Sequence, residues 1–121
     1  MDDYKSSAVR HYNDADKLNK SESFDNAGHL IGIAVECALK HKLSSSTGMS
    51  IEGHIPHLLQ SVKRQLNSRN DSPLISVLSS PVLHGWHIND RYRATGTTTE
   101  QQVSNWFQDA KKIFRNTGVK K

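Results

Sequence analysis

Phe24-Asp25-Asn26-Ala27-Gly28-His29-Leu30-Ile31-Gly32-Ile33-Ala34-Val35-Glu36-Cys37-Ala38-Leu39-Lys40-His41-Lys42-Leu43 is the stretch that decides the fold. Ala27, Leu30, Ile31, Ala34, Val35, Ala38 and Leu39 recur at steps of three and four residues, the spacing of one helical face. Ile33 and Cys37 widen that face, so the helix is expected to be buried on more than one side. His29, Glu36 and Lys40 fall together on the opposite side, with Gly32 beside them. A glycine inside a helix costs about 1 kcal/mol against alanine, which close approach of a backbone or a ligand would offset. Two readings of the polar side stay open. It is a solvated face, with Glu36 and Lys40 in an i,i+4 pair worth about 0.3–0.5 kcal/mol, or it holds polar groups of a ligand.

Outward from this helix, the same periodicity recurs. Tyr4, Ala8, Tyr12, Ala15 and Leu18 predict a helix from Asp3 to Asn19, broken by Ser21-Glu22-Ser23. Ser44-Ser45-Ser46-Thr47-Gly48 reads as a flexible loop. Ile55, Leu58, Leu59, Val62 and Leu66 predict a third helix with Pro56 in its first turn and Lys63, Arg64 and Arg69 towards its end. Asn70-Asp71-Ser72-Pro73 stops it, and Pro73 to Leu78 is long enough for a short fourth helix. Val103, Trp106, Phe107, Ala110, Ile113 and Phe114 stripe a last helix from Thr99 to Asn116, with Thr97/Glu100 and Thr99/Gln102 both at capping-box spacing and Gly118 as terminator. No segment of strand period appears. The expectation is one all-α domain over residues 1–121, an antiparallel up-and-down bundle of four to five helices. Leu30, Ile31, Ala34, Val35, Leu58, Leu59, Val62, Val103, Trp106, Phe107 and Ala110 are expected in its core.

Composition narrows the function classes. No apolar run approaches the roughly 18–20 residues that span a bilayer, and the acidic start is unlike a targeting peptide, so a cytoplasmic address is expected. One cysteine, Cys37, excludes an intramolecular disulfide, and its place in an apolar pattern predicts a buried, inert thiol. Residues 1–52 carry six Lys/Arg and eight Asp/Glu, whereas residues 53–121 carry ten and four. That basic half suits an anionic partner such as a nucleotide or RNA. Phosphate-loop and dinucleotide patterns are absent, and no metal spacing is met among the seven histidines, so neither cofactor nor metal is expected. Trp86-His87-Ile88-Asn89-Asp90-Arg91-Tyr92-Arg93-Ala94-Thr95-Gly96 is chemically the richest stretch. Arginine can grip phosphate bidentately and aromatic rings can stack on bases. Equally, the stretch could be a connector in which Tyr92 packs in the core and Asp90 pairs with an arginine.

Three motifs together carry a resemblance. Residues 27–40 fit A-x-x-L-x-x-x-A-x-E-x-x-L-K, Gly53-His54-Ile55-Pro56-His57-Leu58-Leu59 resembles an H-x-[IL]-x-x-L entry into the third helix, and Asp90-Arg91-Tyr92 places an R-Y pair before the last helix. In this order the chain resembles the HEPN family over most of residues 5–116. The resemblance implies a helical bundle, often a homodimer, that acts as a metal-independent RNase in toxin or phage-defence systems, as a companion of a nucleotidyltransferase, or as a nucleotide-binding module. The family's nucleases share an R-x4-6-H motif. Here Arg91 matches the arginine, but no histidine follows His87. That departure argues for a nucleotide- or RNA-binding accessory domain over an enzyme. Arg91 and Tyr92 are the leading ligand-binding residues, then Glu36 and Lys40, with His29, His54, Trp86 and Arg93 behind them. An RNase would instead recruit His54 or His87 beside Arg91, and a plain interaction module would bind no anion. Arg91, Glu36 and Lys40 are expected to meet near the start of the third helix.

Overall fold

The computed structural model describes residues 3–48, 51–66 and 71–121. Helices α1 (Tyr4–Lys20), α2 (Phe24–Thr47), α3 (His57–Gln65), α4 (Ser72–Ser79) and α5 (Glu100–Thr117) follow in order, with a 3-10 turn at Ile88–Tyr92, and no strand occurs among the described residues. The all-helical expectation therefore holds. Three of the helices are long, and α3 and α4 are short. No helix is long and apolar enough to cross a membrane among the described residues.

Local chemistry sets the helix ends. Asp3 caps α1 by accepting from the Ser6 amide at 2.9 Å. The Thr99/Gln102 pair forms the capping box of α5: Thr99 Oγ1 accepts from the Gln102 amide, and Gln102 Oε1 accepts from the Thr99 amide. Gly118 ends that helix at a φ of 76°, a left-handed conformation that glycine adopts without strain. The expected loop at Ser44–Gly48 is instead the last turn of α2. Ser44 Oγ and Thr47 Oγ1 donate back to the carbonyls of His41 and Leu43, and Gly48 closes the helix. Intrinsic propensity is a weak prior that tertiary context overrides, so a serine-rich run can continue a helix whose buried face persists to Leu43. Of the basic end expected for the third helix, Lys63 and Arg64 lie in its last turn, while Arg69 lies outside the described residues.

The three-residue connection Ser21–Ser23 makes α1 and α2 a helical hairpin, and α5 packs on α2. Small side chains at Ala8, Ala15, Ala27, Ala34 and Ala38, all closed to solvent, let the helices approach. Ile31, Val35, Leu39, Val103, Trp106, Ala110, Ile113 and Phe114 fill the core between them. Tyr12 meets the Phe107 ring edge-on at 5.6 Å and the Phe114 ring at 5.1 Å. Leu30 and Leu59, expected in the core, are only half-buried. Leu58, Val62, Leu74 and Leu78 seat α3 and α4, and Lys42 reaches Asp71 at 3.3 Å.

Candidate anion-binding site

The polar side of α2 is neither a bare solvated face nor an open ligand stripe. Asp25 accepts from the amides of Gly96 at 2.7 Å and Thr98 at 2.9 Å. One turn on, the Gly28 carbonyl accepts from the Trp86 indole at 2.8 Å. Two turns beyond that, Glu36 accepts from the Ile55 amide at 2.8 Å and from His54 Nδ1 at 3.0 Å. These contacts pin the two connectors flanking α3 and α4 onto one helix. Gly32 is explained by the same arrangement. The Trp86 indole occupies the space a side chain would need at position 32, so only glycine admits it.

This overturns several residue-level expectations. Trp86 is 3% exposed and cannot stack on a base from solvent. Its amphipathic ring is held in the core, with its N–H partnered as burial requires. Glu36 is 3% exposed and bonded to the segment before α3, so no pair with Lys40 forms. A buried carboxylate needs donors at close range, and the Ile55 amide and His54 supply them. Lys40 lines a separate hollow with His11 and the half-buried Cys37. It lies eleven residues past His29, about 16 Å along the helix. Arg91, Glu36 and Lys40 therefore do not share one cleft. Tyr92, far from packing in the core, is 75% exposed and is the exposed large hydrophobic side chain among the described residues.

The segment 87–98 forms the opposing wall of a cleft over the first turn of α2. His87 opens the 3-10 turn with a capping box: its Nδ1 accepts from the Asn89 amide, and its own amide donates to Asp90 Oδ2. Asp90 Oδ1 faces Arg93 Nε at 3.0 Å without hydrogen-bond geometry. Arg91 lays its guanidinium over the Tyr92 ring, 4.6 Å from the centroid, with only a long 3.5 Å contact to the Ile88 carbonyl. The cleft has a volume of about 430 Å³. Arg91, Arg93, Thr95 and Gly96 line one side of it, and Ser23, Asp25 and Asn26 the other. Of its three carboxylates, Asp25 is engaged by two backbone amides and Asp90 by Arg93 and the His87 amide, while Glu22 stands exposed at the edge beside Ser23. Of the two arginines that line the cleft, Arg91 is the one not ion-paired to Asp90.

His29 follows Gly28 on α2. Its ring stacks on Trp86 with centroids 6.2 Å apart and planes 15° apart. Burial, then the Arg91 charge, hold its pKa below the usual histidine value, while Glu36 and Asp90 oppose them. Asp25 is held below the usual carboxylate range by the Gly96 amide first and then the Thr98 amide. Sequence reasoning passed over Asp25, whose position in the first turn of a helix signals only a favourable dipole interaction. Among the described residues, no group of three or more His, Cys, Asp or Glu side chains could hold a metal ion. No protein-family model, no curated protein and no solved structure matches this chain.

Proposed function

We propose that the chain is a HEPN-like nucleotide- or RNA-binding accessory domain that holds phosphate at Arg91 and works as a homodimer, beside a nucleotidyltransferase or in a toxin–antitoxin or defence setting. The observation that carries this reading is the exposed Arg91–Tyr92 pair at the rim of a cleft walled by the first turn of α2. A guanidinium with free donors suits a phosphate, and a solvent-facing ring beside it suits a base. Arg93 supports the same role from within the cleft, although it shares Asp90. The basic balance of residues 53–121 adds attraction at longer range. For the homodimer, the support is the half-buried apolar set Leu30, Ile33 and Cys37 on α2.

The test is binding of single-stranded oligouridine to the whole chain at several salt concentrations. Affinity should fall as salt rises, because phosphate contacts release counterions. Arg91→Ala should weaken binding by about 1.5–3 kcal/mol, the worth of a charge-assisted contact, and leave the helical spectrum unchanged. Metal-free cleavage lost in Arg91→Ala and in either His54→Ala or His87→Ala would replace this reading with an RNase. Neither binding nor cleavage in any variant would leave an interaction module. Sedimentation as a monomer at high protein concentration would remove the dimer.

A further inference from the structure

Among the described residues, two buried polar side-chain atoms have no hydrogen-bond partner: Nδ1 of His29 and Oδ1 of Asp90. They belong to the two elements that meet beside the cleft, α2 and the Ile88–Tyr92 turn. Asp90 Oδ1 has the Arg93 cation at 3.0 Å, so the atom left to explain is Nδ1 of His29, because a buried polar atom without a partner costs stability. The His29 ring has a rigid back wall, since Trp86 is fixed by its bond to Gly28 and its fit on Gly32. The charged and titratable groups that bear on it are His11 from α1, Glu36 from α2, and Asp90 and Arg91 from the turn. A ligand cannot reach atoms closed to solvent, but a proton needs no room. Protonated imidazole carries N–H on both ring nitrogens, so Nδ1 becomes a donor. Asp90 Oδ1, on the facing element, accepts no hydrogen bond but has Arg93 Nε at 3.0 Å.

We propose that anion binding at Arg91 and proton uptake by His29 are coupled, so that the cleft binds phosphate more tightly as pH falls. This rests on the reading that Arg91 carries phosphate. An anion on Arg91 neutralises the cation that opposes protonation of His29. In return, the imidazolium adds positive charge beside the cleft and competes with Arg93 for Asp90, turning Arg93 towards the anion. Thermodynamic linkage makes the two effects equal in size.

Hexauridylate without terminal phosphates is the probe, because its charge stays constant between about pH 5.5 and about pH 7.5. Calorimetric titration of the wild type should show Kd falling at least about five-fold over that range, and His29→Gln should lose most of that change. In the wild type, saturating hexauridylate should also raise the titration midpoint of the His29 ring protons in nuclear magnetic resonance spectra. Binding with a flat pH profile, an equal slope in His29→Gln, or an unmoved His29 midpoint each overturns the coupling and leaves the phosphate site standing. Absence of binding at every pH overturns both.

Discussion

Alanine at position 32 brings two opposing effects to one residue. In an isolated helix, Gly→Ala gains about 1 kcal/mol. Here the added methyl would overlap the Trp86 indole, and relief of such overpacking typically costs about 1–3 kcal/mol or more. Gly32→Ala should therefore lower the urea midpoint, yet raise it when Trp86 is already alanine. A double-mutant cycle reads the sign change directly; equal effects in both backgrounds would show that the indole does not rest on Gly32. Glu36 makes a second residue-scale case. Truncation to alanine leaves the Ile55 amide buried without its acceptor, which should cost about 1–3 kcal/mol in chemical denaturation. Glu36→Gln keeps an acceptor oxygen and should cost less. If both substitutions were neutral, the contact would have no structural role.

Among the elements, α2 and α5 hold the long connector between α4 and α5 in place. Asp25 fastens its far end, the Gly28 carbonyl its middle through Trp86, and Asp109 its start by accepting from the Leu83 amide at 2.9 Å. Trp106 adds a bond from its indole to the His84 carbonyl at 2.9 Å. Asp25→Ala should release the Gly96 and Thr98 amides to rapid hydrogen exchange while α5 stays protected. Unchanged protection at those two amides would mean that other contacts hold the loop. Because the folded-state pKa of Asp25 is lowered, its contribution is present above the usual carboxylate value and is lost as pH falls through the folded value. The loop over the cleft should thus loosen in acid before the helices melt.

The whole molecule carries a milder pH dependence of its own. Burial is the first cause holding both His11 and His29 below the usual histidine value, with Arg10 and Arg91 the next causes in turn. Their folded states disfavour the proton, so their contribution to stability is complete above the unfolded value of 6.5 and declines as pH falls towards the folded values. Urea midpoints should drop from about pH 7 to about pH 5, and the His11→Gln/His29→Gln double variant should flatten the profile. An equally steep profile in that variant would assign the loss to other groups. The same two rings sit on the paired helices α1 and α2, so the packing that lowers their pKa values is also the packing that supports the cleft.

Helical class, the seam of α2 and the caps of α5 were all legible in the chain, because periodicity and capping depend on residues within a few positions of one another. Even there, the extent of α2 was not, since the helix continues to Thr47 through what reads as a serine loop, with Ser44 and Thr47 hydroxyls bonded back to its carbonyls. The site was legible only in part. Arg91, Tyr92 and Arg93 stand out by residue type, and they do face solvent together beside one cleft. Trp86, Glu36 and His54 stood out for the same reason, yet they are spent on joining segments 18 to 58 residues apart. Nothing local distinguishes an aromatic ring that will fill the gap at Gly32 from one that will stay at the surface. Tertiary packing made that choice, because burying the indole against Gly32 and the Gly28 carbonyl satisfies its N–H, while Tyr92, five residues past the His87 cap and at the end of its 3-10 turn, stays exposed.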